Sequence, residues 1–279
     1  MRTSPCDEEI TSDTVDPMNF QTLQFEINDG IGTLWLNRPD AHNTVNRQMA
    51  KDLRAAGYQI ARTHRLRALV LRGRGKVFSA GGDMRMFQEN MESIETYMLD
   101  VIPDFHEFLM TLRSLAVPTV ALLHGAAAGG GLSLALACDF VFAREDTKMA
   151  VAYRKLGVSA DGGMTHLLTS LLGPRKAMDL MLRKDSFDAR EALALGLITD
   201  VVSREEFEEK LSGKLADLAS NAPAVVREVK ALVYGAGHTS YGAQLQAETG
   251  SFSRCAATAD FREGVSAFLD RRTPNFNSQ

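Results

Sequence analysis

The chain has 279 residues, of which 45% are apolar and 24% are charged, and its net charge at pH 7 is −4. This size and composition fit one large globular domain. The sequence has no basic block for nucleic acid, no apolar run long enough to cross a membrane, and no cysteine spacing typical of disulfides or metal sites. We therefore expect no nucleic-acid partner, no membrane association and no metal.

The first segment, residues 1–18, is rich in Asp and Glu and contains a single basic residue, Arg2. Acidic residues are avoided in organelle transit peptides, and the segment lacks the apolar core of a secretory signal. We expect a disordered acidic tail here and a cytoplasmic protein.

After this tail, apolar stretches of strand length alternate with amphipathic stretches of helix length. Residues 23–27 and 33–36 flank an Asn-Asp-Gly turn, which predicts a hairpin. Asn46 has a side chain suited to an N-cap, so a helix is predicted to run from there to about Arg62. Further elements are predicted as a helix over 94–115 and as strands at 66–71, 119–123, 139–143 and 149–152. This alternation predicts an α/β core over residues 19–202.

The C-terminal part, residues 203–279, has helical spacing almost throughout. Helices are predicted over residues 204–219, 223–234, 241–256 and 259–269. Their apolar positions are more numerous than a short appendage on a monomer could hide; they include Val225, Val226, Val229, Leu232, Val233, Phe252, Phe261 and Phe268. We therefore expect these helices to pack on the core and on neighbouring subunits.

Two glycine-bearing segments each follow a predicted strand. Residues 78–84 read FSAGGDM, and residues 124–131 read HGAAAGGG and open a helical stretch. Glycine lets the backbone come close to a ligand, and the first N–H groups of a helix have no partner within that helix. Two such segments that face each other could offer two N–H donors to one oxygen that becomes negative during a reaction, as in an oxyanion hole.

The stretches FSAGGDM and HGAAAGGGLSLALACDFVFA resemble the two signature segments of the crotonase superfamily, the enoyl-CoA hydratase/isomerase family. The resemblance extends from about residue 34 to residue 269. It implies a spiral of ββα units with a helical C-terminal region that assembles as a homotrimer or hexamer. It also implies an acyl-CoA substrate, with coenzyme A as part of that substrate and no separate cofactor. By match of motif, the two N–H groups of the oxyanion hole fall on Gly82 and Gly130.

The same resemblance bears on the reaction. The two glutamates of hydratases in this family are matched here by Ser133 and Tyr153, and neither is a carboxylate. Asp161 matches a carboxylate that is catalytic elsewhere in the family, and residues 152–163 and 260–276 resemble isomerases such as 1,2-epoxyphenylacetyl-CoA isomerase. The resemblance therefore implies an isomerase in which Asp161 moves a proton between two carbons. Without the resemblance, an aspartate before two glycines is also typical of a turn.

Other functions stay open at this stage. His106 matches a histidine of aryl-CoA dehalogenases, in which it works beside an aspartate that matches Asp161 and an aromatic residue that matches Tyr153. A hydratase, hydrolase or dehalogenase that uses a His106–Asp161 pair is therefore the second interpretation. Histidine between Phe105 and Phe108 is also typical of an ordinary helix-face residue. A third interpretation is a protein that binds acyl-CoA without catalysis, against which the retained glycine segments and the aligned aspartate argue.

Contacts with coenzyme A are predicted by the same resemblance. The loop that carries Arg38 and His42 would border the adenine and pantetheine, and arginine side chains suit phosphate. Arg271 and Arg272 would approach from a neighbouring subunit. The full predicted substrate-binding set is Arg38, His42, Ala80, Arg85, Ser133, Tyr153, Arg271 and Arg272.

Overall fold

The computed structural model describes residues 19–64 and 66–276. The predicted acidic tail, residues 1–18, lies outside the described residues. Six strands form the larger sheet, in the order β1 (Leu23–Asn28), β2 (Ile31–Leu36), β3 (Ala68–Gly73), β4 (Thr119–Leu123), β6 (Phe140–Arg144) and β9 (Asp200–Val202). The first pair is antiparallel, which confirms the predicted hairpin, and the other pairs are parallel.

The smaller sheet has three strands, in the order β5 (Ala126–Ala128), β7 (Lys148–Ala150) and β8 (Phe187–Asp188). Two isolated parallel β-bridges continue the pairing beyond β5. One joins Ala127 of β5 to Ser79, and the other joins Gly82 to Val45. The backbone of the first glycine segment therefore runs between the second glycine segment and the chain that leads into the first helix.

Helices α1 (Arg47–Ala61) and α3 (Ile94–Ser114) pack on each other and contribute to the main core. The predicted N-cap of α1 is confirmed, because the Asn46 side chain accepts a hydrogen bond from the N–H of Met49 at 2.9 Å. The short helix α2 (Met84–Glu89) follows the first glycine segment, and α4 (Gly130–Leu136) follows the second.

The larger sheet is buried on both faces. Leu71 and Leu123 belong to the main core on one face, whereas Val70 and Val120 belong to a second cluster on the other. That second cluster is completed by buried residues of α8 (Phe207–Ala219). Strands that are covered on both faces have continuous apolar sequences, and for this reason the central strands could be predicted from the sequence.

The remaining helices are short or C-terminal. Sequence periodicity did not predict α5 (Met164–Leu172), α6 (Pro174–Leu182) or α7 (Ala189–Leu195). Helices of this length are marginal on their own and owe their stability to tertiary packing. The predicted C-terminal helices are confirmed as α9 (Pro223–Ala236), α10 (Tyr241–Ala256) and α11 (Ala259–Asp270). Within the described ranges, the helices lack the combination of length and apolar character that a membrane span requires.

Candidate active site

The first glycine segment, residues 78–83, lies beside the chain that enters α1. The N–H of Val45 donates to the carbonyl oxygen of Gly81 at 2.7 Å, and the N–H of Asp83 donates to the carbonyl oxygen of Val45 at 3.1 Å. Successive peptide groups of a paired, extended backbone point to opposite sides. The N–H of Gly82 therefore faces away from Val45, and among the described residues none accepts a hydrogen bond from it.

Asp83 fixes the end of this segment at the first turn of α2. One carboxylate oxygen accepts from the N–H groups of Arg85 at 3.2 Å and Met86 at 3.4 Å, and the other accepts from the Arg38 guanidinium at 2.9 Å. Burial raises the pKa of Asp83, but the hydrogen bonds it accepts, led by that from Arg38, outweigh burial and hold the pKa below its ordinary value. Arg38, a predicted coenzyme A contact, is thus already paired here.

The second glycine segment turns sharply before α4. Gly129 adopts a φ of +49°, and its N–H donates to the last carbonyl of β7 at 3.0 Å. The helix begins at Gly130, and no acceptor for the Gly130 N–H is found in the part of the chain that the structure describes. A Cβ on Gly131 would lie 2.6 Å from the Ser79 side chain, whereas a Cβ on Gly130 would lie 3.8 Å from Phe105. Close packing therefore requires glycine at 131 but leaves room at 130.

The two glycine segments touch each other. A Cβ added to Gly81 would lie 2.6 Å from the carbonyl oxygen of Ala128 and 3.3 Å from the backbone nitrogen of Gly130. The N–H groups of Gly82 and Gly130 thus belong to neighbouring stretches of backbone. Where an enzyme uses two such donors on one developing negative charge, losing one costs about 3–4 kcal/mol of barrier.

Asp161 lies in a loop that packs against α4. The hydroxyl of Tyr153, in the short helical turn Tyr153–Leu156, donates to the Asp161 carboxylate oxygen Oδ1 at 2.6 Å. The hydroxyl oxygen of Ser133 lies 3.2 Å from the Tyr153 oxygen and 3.2 Å from the Asp161 carbonyl oxygen. Ser133 has 0% of its surface exposed, so this contact with the loop is shielded from water.

Tyr153 acts in this arrangement as a hydrogen-bond donor. Burial raises the pKa of its phenol far above the ordinary value, and the neighbouring negative charge of Asp161 raises it further. The phenol therefore keeps its proton near neutral pH and presents it to the carboxylate. Ala152, which precedes it, has a φ of +70°, a left-handed conformation that an alanine rarely adopts and that redirects the chain at this point.

His106 projects from α3 toward the same loop. Its ring nitrogen Nε2 accepts a hydrogen bond from the N–H of Gly162 at 2.9 Å. Gly162 has a φ of +59°, and a Cβ there would lie 2.6 Å from the Ser133 side chain and 3.0 Å from Phe105. Only glycine fits this position, both for its conformation and for its space.

The other predicted substrate contacts lie at the surface. Ala80 and His42 are exposed, and the N–H of Ala80 donates to the carbonyl oxygen of His42 at 3.0 Å. Arg85 is exposed on α2. Arg271 and Arg272 follow α11, and the guanidinium of Arg272 pairs with a glutamate of that helix at 2.6 Å. Their roles in binding stay predictions.

Sequence reasoning missed how these residues are joined. Phe105 lies beside both Gly130 and Gly162, so one aromatic side chain bridges the glycine segment and the aspartate loop. The contact of His106 with Gly162 joins residues 56 positions apart. The glycine pair after Asp161 was the available signal, since two adjacent glycines indicate a backbone that needs unusual conformations.

The described residues contain no group of three or more His, Cys, Asp or Glu side chains arranged to hold a metal ion. The polar groups of the site are two backbone N–H donors, a carboxylate with its phenol donor, and an imidazole bound to backbone. Such a set can stabilise an oxyanion and exchange a proton.

The fold and the site define a crotonase-type enzyme, a class built on this α/β core with a helical C-terminal region. An enoyl-CoA hydratase from Polaromonas sp. JS666 has a crystal structure that superposes with a TM-score of 0.87 at 28% identity, covering 91% of this chain and 99% of that one. A sequence model of the enoyl-CoA hydratase/isomerase family matches residues 26–279. The chain belongs to the enoyl-CoA hydratase/isomerase family.

Two relatives indicate the range of activities in this family. A protein named probable enoyl-CoA hydratase from Rhodobacter capsulatus is 33% identical over 262 residues, covering 94% of this chain and 100% of that protein. The trans-2-decenoyl-[acyl-carrier-protein] isomerase of Streptococcus mutans is 27% identical over 263 residues, also covering 94% of this chain and 100% of that protein. The relatives of this chain therefore include a protein named as a hydratase and a protein named as an isomerase.

Proposed function

We propose that this protein isomerises an enoyl-CoA or a related acyl-CoA, with Asp161 as general acid and base. The thioester oxygen would accept hydrogen bonds from the N–H groups of Gly82 and Gly130, which stabilise the negative charge that develops on it. The observation that carries the proposal is the Asp161 carboxylate, held by Tyr153 at 2.6 Å in a loop packed against the helix that begins at Gly130.

The chemistry needs only one carboxylate. Polarisation of the thioester C=O makes the carbon next to it, and its vinylogous position, more acidic. The Asp161 carboxylate takes a proton from one of these carbons, and the electron pair moves into the thioester to give a dienolate. Protonated Asp161 then returns the proton two carbons along, so the double bond moves and no atom is gained or lost.

Hydration by a glutamate pair has less support from these residues. Ser133 is fully buried, and Tyr153 keeps its proton because burial raises its pKa. His106 is a weak candidate for a general base, because its Nε2 lone pair already accepts a hydrogen bond from Gly162. One relative is named as an isomerase, in agreement with this preference. Because another is named as a probable hydratase, the experiment must distinguish isomerisation from hydration.

The proposal is tested with a panel of 2-enoyl- and 3-enoyl-CoA esters of graded chain length, with products identified by mass spectrometry and NMR. Isomerisation leaves the mass unchanged in H₂O and moves the double bond. A product heavier by one water contradicts the proposal in favour of a hydratase, and loss of halide from an aryl-CoA favours a dehalogenase. Tight binding without turnover of any ester would favour a protein that only binds acyl-CoA.

We also infer that the chain assembles into a trimer or hexamer. Large side chains of the C-terminal helices are exposed in the single chain, with Phe252 at 69% and Phe268 at 83% of their surface accessible. The flank of α9 that carries Val225, Val229 and Val233 lines an open cleft of about 330 Å³. Such apolar surface favours association with further copies. A monomer in sedimentation velocity at micromolar concentration would contradict this inference.

A further inference from the structure

The peptide group between Asp161 and Gly162 is held from both sides. Its carbonyl oxygen lies 3.2 Å from the Ser133 hydroxyl, and its N–H donates to His106 Nε2 at 2.9 Å. A trans peptide directs its C=O and N–H to opposite sides. Ser133 from α4 and His106 from α3 therefore contact the same peptide group from opposite sides. This peptide group begins at Asp161, the residue that bears the carboxylate.

The contact assigns Nε2 of the imidazole the role of hydrogen-bond acceptor. To accept a hydrogen bond, Nε2 must lack a proton, so in this arrangement the ring proton is on Nδ1. The lone pair that a general base would use is thereby occupied by backbone. The ring is half-buried, and its centroid lies 6.4 Å from that of the preceding Phe105.

The loop needs such a contact because its own backbone is permissive. Residues 158–161 are in neither helix nor strand, and Gly157, Gly162 and Gly163 all have positive φ. Glycines lose more conformational freedom on folding than any other residue, so a loop flanked by them is held in place by contacts from outside. His106 supplies a hydrogen bond to the backbone immediately after the carboxylate-bearing residue.

We propose that His106 is a positioning residue: its imidazole fixes the Asp161–Gly162 peptide and so aims the carboxylate that Tyr153 also holds. The inference rests on the proposed function in one respect, namely that Asp161 is the group whose position limits turnover. In this proposal the His106 imidazole binds the backbone N–H of Gly162 and takes no part in the proton transfer.

The kinetic test compares His106→Gln with His106→Leu. A glutamine amide oxygen can take the place of Nε2 as acceptor, whereas leucine fills space without accepting. We expect His106→Gln to keep kcat within about threefold, and His106→Leu to lower kcat about 10- to 100-fold with little change in KM, since displacement of a catalytic group by about 1 Å is that costly. Equal, large losses in both variants would overturn the proposal in favour of imidazole chemistry, and full activity of His106→Leu would overturn it too.

A second readout does not depend on turnover. Hydrogen exchange of the Gly162 amide, followed by NMR, should be slow in the wild type and in His106→Gln, and at least about tenfold faster in His106→Leu if the hydrogen bond protects it. His64→Leu, at an exposed histidine after α1, is the matched control and should change neither exchange nor kcat.

The two readouts separate the two proposals. The expected exchange pattern in a protein that turns over no enoyl-CoA would support the positioning role of His106 and contradict the proposed function. Isomerase activity with the same Gly162 exchange in the wild type and both His106 variants would contradict the positioning role and leave the proposed function intact. Thermal unfolding of each variant identifies any loss that comes from misfolding.

Discussion

The two halves of the candidate site are built from different parts of the chain's chemistry. The backbone half consists of the N–H groups at positions 82 and 130, which every residue but proline would provide. The side-chain half consists of Asp161, held by Tyr153, and of Ser133 and His106, which contact its loop. Substitution by any residue except proline leaves the backbone donor in place and can only cover or displace it, whereas the side-chain contacts can be removed one at a time.

The largest effect is expected from deleting the proposed general base, the carboxylate of Asp161. Asp161→Asn keeps the size and can still accept from Tyr153, but it cannot take up the substrate proton. We expect kcat to fall by at least about 10²-fold, measured on whichever CoA ester the wild type turns over. Asp179→Asn, at an exposed aspartate on α6, is the control. Full activity of Asp161→Asn would show that the carboxylate is not the base.

The next effect comes from covering the backbone half. In Gly130→Val the first added carbon has room, because a Cβ would lie 3.8 Å from Phe105. The branches should obstruct the space in front of the N–H, so we expect kcat to fall about 10²- to 10³-fold with the fold retained. Gly213→Val, in the open surface of α8, is the control. Unchanged turnover in Gly130→Val would mean that this N–H does not face the substrate.

A smaller effect is expected from removing the donor to the carboxylate. Tyr153→Phe deletes the 2.6 Å hydrogen bond to Asp161 and leaves the ring in place. A hydrogen bond to a charged group contributes about 1.5–3 kcal/mol, so we expect kcat to fall about tenfold or somewhat more. Ser133→Ala, which removes a weaker contact to the same loop, should cost less than about fivefold. A larger loss in Ser133→Ala than in Tyr153→Phe would reverse this ranking of the two contacts.

The last prediction concerns stability and not turnover, at a side chain that supports the backbone half. Asp83→Asn weakens the ion pair with Arg38 next to Gly82, and we expect it to lower the free energy of unfolding at pH 7 by about 2 kcal/mol. The pKa of Asp83 is lowered in the fold, so its contribution is complete above the unfolded value near pH 4 and is lost as the pH falls through the folded value.

Urea unfolding of wild type and Asp83→Asn at pH 7 and at about pH 3 measures this directly. The difference in unfolding free energy between the two proteins should shrink at the lower pH. A difference that stays constant with pH would show that the Asp83 carboxylate contributes through its shape and not through its charge.

The two halves also differ in how far the sequence revealed them. The glycine segments were recognisable because close approach and a φ of +49° at Gly129 restrict the residue type itself. The strands on either side were recognisable because burial on both faces gives continuous apolar runs. The family model that matches residues 26–279 covers both glycine segments.

The side-chain half was only partly recognisable. Asp161 and Tyr153 lie eight residues apart, and the sequence could place both near the site by resemblance. Nothing in the sequence showed that the phenol donates to the carboxylate, because that depends on the turn at Ala152 and its φ of +70°. The short helices α5 to α7 were missed for a related reason, since packing and not local propensity stabilises them.

The sequence by itself determined the α/β core, the helical C-terminal region and the two glycine segments, because each depends on local residue preferences or on the period of apolar residues. The tertiary structure alone decided which polar groups meet. His106 reaches Gly162 across 56 positions, and Arg38 reaches Asp83 across 45. The direction of a hydrogen bond between distant residues depends on how helices and sheets pack, and no local pattern encodes that packing.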